Sequence, residues 1–263
     1  MFFKIDRAYE IFLEEGFIIL IKKILNYLCL EIHKMIRKII KYDYFLMMRK
    51  IRYDYWLKNW IERIRNKRLL KIARNSIEEN FNDKEPLVSV LIPTYNKGRI
   101  LVDRTVPSVL RQTHQNFEII IVGDHCTDNT EELVRKINDR RIKFYNLEKR
   151  GAYPSDPYYR WMVAGVEPAN KAIELCSGSW IARLDDDEFS YDKIELLLNY
   201  ALKHDYEMVY GKMQMETKPN VWDEVGSYPL ECGRICHSSV LYSSRLKFFR
   251  YDLNSWKFLE PDD

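Results

Sequence analysis

The spacing of hydrophobic positions changes character near residue 80. Before it, Ile21, Ile24, Leu25, Leu28, Ile32, Ile36, Ile39 and Ile40 recur every three or four residues, with Lys22, Lys23, Lys34, Arg37, Lys38 and Lys41 on the remaining faces. A second stretch holds Tyr44, Phe45, Met48, Ile51, Tyr55, Trp56, Trp60, Ile61 and Ile64 among further basic residues. This periodicity predicts amphipathic helices. Beyond Pro86 the apolar residues bunch into short β-branched runs divided by polar turns. Strands are predicted at Leu87–Ile92, Phe117–Val122, Arg141–Asn146, Trp180–Leu184 and Met208–Tyr210. Helices are predicted at Ile100–Gln112, from Thr127 or Asp128 to about Asn138, at Pro168–Cys176 and at Asp192–His204. Strands alternating with helices imply parallel pairing in a layered α/β sheet. Such sheets bind ligands at the carboxyl ends of their strands. The polar clusters Pro93-Thr94-Tyr95-Asn96, Gly123-Asp124-His125 and Asp185-Asp186-Asp187 stand at those ends.

Charge divides the chain in the same way. Residues 1–80 carry 18 Lys/Arg against 10 Asp/Glu, and residues 81–263 carry 24 against 29. Lys22 to Arg74 alone holds 16 basic residues and four acidic ones. Two domains are therefore expected, a basic helical segment over 1–80 and an α/β body over 81–263, joined by the polar stretch Asn75–Pro86. An apolar stripe with aromatic residues and flanking Lys/Arg suits a helix lying in the interface of an anionic membrane, through residues 17–74. A helical hairpin packed on the body or on a second subunit, as in a homodimer, accounts for the same pattern. No nucleic-acid motif accompanies the patch, and nucleic acid is not an expected partner. The longest stretch without a charged residue, Pro86–Asn96, is 11 residues, well short of the roughly 20 that span a bilayer. No secretory leader is readable. Five scattered cysteines suit a reducing compartment and no disulfide framework, with Cys232 and Cys236 read as ordinary thiols.

The acidic run Asp185-Asp186-Asp187-Glu188 directly follows a strand predicted to be buried. Four adjacent carboxylates repel one another. A helix dipole offsets this by about 1 kcal/mol or less, and a divalent cation with oxygen ligands does far more. Asp185 and Asp187 alternate, so on extended backbone they leave on one side and can converge on one ion. A solvated turn capping the following helix fits the run equally well when it is taken alone.

The order of these elements favours the first. Val88-Ser-Val-Leu-Ile-Pro-Thr-Tyr-Asn96, then Val122-Gly-Asp-His-Cys-Thr-Asp-Asn129, then Asn170 through Gly178-Ser-Trp-Ile-Ala-Arg-Leu-Asp-Asp-Asp187 resembles glycosyltransferase family 2, whose members have a GT-A fold and use nucleotide-sugar donors. The resemblance covers about residues 86 to 263. It implies that Pro93, Thr94, Tyr95, Asn96, Asp124 and Asn170 bind the nucleotide sugar. Asp185 and Asp187 match the Asp-x-Asp motif that holds Mn²⁺ or Mg²⁺ against the donor diphosphate, and Asp186 would lie near the ribose or donor sugar. A late histidine, His237, is a further candidate metal ligand. Oxygen ligands suit Mg²⁺ or Mn²⁺ rather than zinc. The chain departs from the family where Gly123-Asp124-His125-Cys126-Thr127-Asp128 replaces the usual Asp-Asp-Gly-Ser-Thr-Asp, and where Ala169 replaces the Arg before Asn170. Arg150-Gly151 and Tyr158-Tyr159-Arg160-Trp161 are candidates for the missing positive charge; a surface loop with buried aromatics is the plainer reading.

An inverting transferase needs a carboxylate that takes the acceptor hydroxyl's proton. The resemblance assigns this to the Glu260-Pro261-Asp262-Asp263 run, with Asp263 the best match and Asp262 beside it. The family usually continues past this point, so the body is expected to be cut short at its C-terminus. The implied protein is a metal-dependent glycosyltransferase at the cytoplasmic face of the plasma membrane, passing sugar from a nucleotide-diphosphate sugar to a glycan or lipid-linked acceptor in cell-surface polysaccharide or glycolipid synthesis. Two alternatives stay open. A non-catalytic membrane-associated scaffold with a nucleotide-binding sheet would show metal-independent donor affinity. A nucleotidyltransferase would need a Gly-rich phosphate loop after the first strand, which Pro93-Thr94-Tyr95-Asn96 is not.

Overall fold

The computed structural model describes residues 17–76, 83–230 and 235–259. The chain divides into two compact units between Asn59 and Trp60, and the expected boundary near residue 80 lies in a segment outside the described residues.

The two predicted amphipathic stretches are one helix, α1 (Phe17–Ser76), 60 residues without a break. A hairpin would need a turn, and no Gly or Pro interrupts this run to make one. Within the first unit Ile32, Met35, Tyr53 and Trp56 are exposed; within the second, Trp60, Ile61, Ile64 and Ile72 are. At its C-terminal end Arg74 holds Glu207 through Nη2 at 2.5 Å and Nε at 3.0 Å, and Arg245 adds a third contact at 3.3 Å. These hydrogen bonds, Arg74's first, hold the Glu207 carboxyl below the usual range despite its partial burial.

The body is a six-stranded sheet in the order β3-β2-β1-β4-β8-β5. Its first half is parallel: β1 (Val88–Thr94) lies between β2 (Phe117–Gly123) and β4 (Trp180–Arg183), with β3 (Ile142–Asn146) outside β2. Every residue of β1, β2 and β4 is buried, which is why these strands read as unbroken apolar runs rather than as alternating ones. Pro93 is tolerated in the central strand because β4 pairs with β1 only as far as Leu91.

Helices cover both faces. α2 follows β1 in three pieces, Gly98–Ile100, the π-turn Leu101–Thr105 and Val106–Leu110. α3 (Thr130–Arg135) follows β2, and α4 (Pro157–Val163) and α5 (Val166–Leu175) follow β3. α6 (Lys193–His204) leads to β5 (Met208–Tyr210). One core packs Val90, Ile92, Leu101, Val106, Ile119, Ile121, Trp180 and Leu198 on one face; Leu91, Ile120, Ala172, Ile173 and Ile181 form the other. The parallel α/β expectation holds for β1 to β4. The exception is β8 (Val240–Ser243), which inserts antiparallel between β4 and β5. The hairpin β6 (Met213–Lys218) and β7 (Val221–Val225) stands apart as a second sheet.

Candidate donor-binding site

The parallel register brings the predicted polar clusters together. Pro93 and Thr94 lie opposite Val122 and Gly123, and Leu91 lies opposite Arg183, so the turns after β1, β2 and β4 open side by side. Asn96 and His125 both take left-handed backbone, with φ of 52° and 58°. His125 stands where the family usually has glycine, the residue for which that conformation carries no Cβ penalty; its Nδ1 lies 3.2 Å from the Leu147 carbonyl. The Asn96 amide clamps the second turn, accepting from Thr127 N at 2.9 Å. Asn146, at the end of β3, accepts from Cys126 N and donates to its carbonyl at 2.8 and 2.9 Å. Gly123 permits this crossing, because a Cβ there would lie 2.6 Å from Asn146 Oδ1.

Asp124 is 3% exposed. Its Oδ1 accepts from Gly151 N at 3.0 Å, and Arg150 Nε stands 3.7 Å from its Oδ2. The Arg150 guanidinium also lies 3.7 Å above the Tyr95 ring, a cation–π contact. Burial, and then Asp124, raise the Tyr153 phenol above its ordinary range. Arg150 is thus at the site, but on Asp124 and Tyr95. The Tyr158–Trp161 run is not a loop: it lies in α4, capped by Asp156, with Tyr158 and Trp161 exposed.

The acidic run is built on a rigid base. Buried Gln112 donates to Ser190 O at 2.6 Å and accepts from Ile194 N at 3.0 Å; Ser108 Oγ accepts from Phe189 N at 3.1 Å. Lys193, at the start of α6, donates to Ser238 O and lies 3.6 Å from the Phe189 ring; burial pushes its pKa down to about 7. Internal cations meet three of the four acids. Arg183 contacts Asp185 Oδ1 at 3.1 Å, Lys97 stands 3.5 Å from Asp186, and Arg104 stands 3.8 Å from Glu188 while donating to the Asp186 carbonyl. Asp187 carries the residual strain. Desolvation, then Asp186 and Asp185, raise its carboxyl, and Arg104 offsets them only in part. An acid held up by its neighbours and furnished with oxygen donors fits a divalent cation.

Two expected residues are placed elsewhere. Asn170 Nδ2 donates to Tyr251 O at 2.9 Å and its Oδ1 accepts from Tyr251 N at 3.0 Å. His237 meets the Tyr251 ring edge-on, centroids 4.8 Å apart. Among the described residues no three His, Cys, Asp or Glu are grouped to hold a metal, so His237 does not join Asp185 and Asp187 in such a set. Asp262 and Asp263 lie outside the described residues. The motifs gave no sign of Tyr251, Lys97 or Arg104; the only available signal was the Tyr-Asp pair at 251–252 after an aromatic and basic run.

Comparison with known proteins agrees with this geometry. Residues 89–154 match the family model described as Glycosyl transferase family 2. The chain is 32% identical over 130 residues to the Escherichia coli UDP-Glc:alpha-D-GlcNAc-diphosphoundecaprenol beta-1,3-glucosyltransferase WfgD, covering 49% of this chain and 46% of that one. It is 31% identical over 183 residues to the Staphylococcus aureus poly(ribitol-phosphate) beta-N-acetylglucosaminyltransferase TarP, covering 65% and 52%. Among solved structures, S. aureus TarS 1–349 in complex with UDP superposes with a TM-score of 0.51 at 18% identity, over 65% of this chain and 53% of that one. The likeness to TarS shows the GT-A fold. Segment 89–154 therefore carries the sequence signature of glycosyltransferase family 2. It spans between 20% and 52% of the length of the relatives it matches.

Proposed function

We propose that the domain binds a nucleotide-diphosphate sugar and passes its sugar, with inversion, to a glycan or lipid-linked acceptor in cell-surface polysaccharide synthesis. The observation that carries this is the adjacency of buried Asp124, the exposed Tyr95 ring and the acidic run at the ends of neighbouring parallel strands. The Asp124 carboxylate accepts a hydrogen bond from a nucleobase N–H, and the Tyr95 ring offers the base a stacking face once Arg150 moves aside. Thr94, whose buried hydroxyl has no partner among the described residues, and Asn96 stand in the same turn after β1 as Tyr95. Asp185 and Asp187 would hold Mn²⁺ or Mg²⁺ against the donor diphosphate, and the cation would supply charge stabilisation to the leaving nucleoside diphosphate. Asp186 faces the ribose or sugar. Asp263, or Asp262 beside it, takes the proton from the attacking hydroxyl.

The basic helix α1 supports a second element of the reading, that residues 17–74 bring the enzyme to the cytoplasmic face of an anionic membrane where a lipid-linked acceptor lies. No helix among the described residues is long and apolar enough to cross a membrane. Co-sedimentation with phosphatidylglycerol vesicles, absent with phosphatidylcholine alone, is the expected result; dimer formation without vesicle binding would replace this element with a homodimer.

Calorimetric titration of UDP, GDP and dTDP, with and without Mn²⁺, tests the donor site. One nucleotide should bind in a Mn²⁺-dependent way, and Asp187→Ala should abolish the metal dependence. A folded chain that binds none of the three overturns the reading, and binding indifferent to metal favours a scaffold.

A further inference from the structure

Two residues expected at the donor site, Asn170 and His237, contact Tyr251, which no motif marks, and Asp185 is linked to it through Arg183. Asn170 fixes its backbone from both sides, at 2.9 and 3.0 Å. The Arg183 guanidinium lies 4.6 Å from the centre of its ring, and His237 meets that ring at 81°. Arg183 is 5% exposed, so its charge needs compensation. The Tyr251 ring and the Asp185 carboxylate both contribute to it. Both Arg183 contacts to Asp185, from Nε and Nη2 at 3.1 Å, fall on Oδ1, which leaves Oδ2 as the oxygen for an incoming cation. Gly165 sits close by in left-handed backbone (φ 86°), where a Cβ would lie 3.7 Å from Arg183 Nη2. The guanidinium is thus restrained by Tyr251, Asp185 and the start of α5 together.

We propose that Tyr251 is a positioning residue of the donor site, holding Arg183 and through it the Asp185 carboxylate in the orientation that receives the metal-bound diphosphate. This rests on the donor-site reading. The nucleobase pocket, built from Tyr95, Asp124 and Arg150, makes none of these contacts, so the two halves of the site should respond differently to a change at Tyr251.

Uridine and UDP with Mn²⁺ are the probes, titrated by NMR and calorimetry against the full chain. Tyr251→Leu should weaken UDP–Mn²⁺ binding about tenfold or more and leave uridine affinity within about twofold. Tyr251→Phe, which keeps the ring, should bind UDP–Mn²⁺ within about threefold of wild type. Equal losses for both probes, or no loss for either, overturn the proposal, because a merely structural role would not separate them. Should Tyr251→Leu fail to fold, Arg183→Lys, which keeps the charge but loses the planar fork, must show the same split. Wild type that binds neither probe refutes the donor-site reading itself, whereas wild type that binds both alongside an unaffected variant refutes only the role of Tyr251.

Discussion

The two ends of the parallel sheet place carboxylates under opposite conditions. At the amino-terminal end, buried Glu118 of β2 accepts from Ser89 Oγ at 2.7 Å, from Ser177 N and Oγ at 2.6 and 2.8 Å, and from Lys143 Nζ at 2.8 Å. Burial alone would raise its pKa, but Lys143, Ser89 and Ser177 outweigh it and bring it down to about 2. Ser89 Oγ also accepts from Gly178 N, and a Cβ on Gly178 would come within 2.6 Å of that oxygen. At the carboxyl end, Asp187 is pushed the other way. One end closes its polar groups on one another; the other keeps like charges together that its own cations relieve only in part. The difference separates a carboxylate that holds the fold from one proposed to bind the donor, which residue type alone does not reveal.

The largest effects should come from exchanging these roles. Asp187→Ala removes the proposed charged ligand and should cost about 2 kcal/mol or more of UDP–Mn²⁺ affinity, with the melting temperature unchanged or raised because repulsion is relieved. Glu118→Ala should do the reverse. It strands Lys143, Ser89 and Ser177, destabilises the fold by roughly 2–4 kcal/mol in urea titrations, and leaves the affinity of the surviving folded protein intact. A loss of affinity without a loss of stability in Glu118→Ala would break the comparison.

A pH titration of stability sharpens it further. Because the folded Glu118 pKa lies below its unfolded value, its contribution is present above about pH 4.5 and is lost as pH falls towards 2, amounting to roughly 2–3 kcal/mol. Glu118→Gln should flatten that limb of the acid-unfolding curve; an unchanged limb assigns the acid sensitivity to other groups. The smallest effect is expected at Arg104, whose pairing with Glu188 is half exposed. Arg104→Ala should change stability by less than about 1 kcal/mol, checked by thermal unfolding.

Much of this was legible in the linear pattern. β1, β2 and β4 read as strands because burial on both faces leaves unbroken Val/Ile runs, and their ends coincide with the motifs. α4 was missed although Asp156-Pro157 is a good start signal, because only seven residues follow and their aromatics gave no clear helical stripe. β8 is four residues long and pairs with strands far from it in sequence, so no local period announces it. The single helix α1 read as two because its apolar stripe weakens around Lys41–Tyr44, a change in composition rather than in backbone.

The sequence by itself determined which residue types are present, the alternation that makes a parallel α/β sheet, and the family to which the motifs belong. Those follow from local periodicity and from short contiguous motifs, both of which survive in one dimension. Only the tertiary structure decided that Arg150 sits on Tyr95 and Asp124, that Asn170 serves Tyr251, and that Arg183 neutralises Asp185 while Asp187 keeps its repulsion. These depend on which turns the register sets side by side and on how burial weights each charge. Neither quantity exists until the strands have paired.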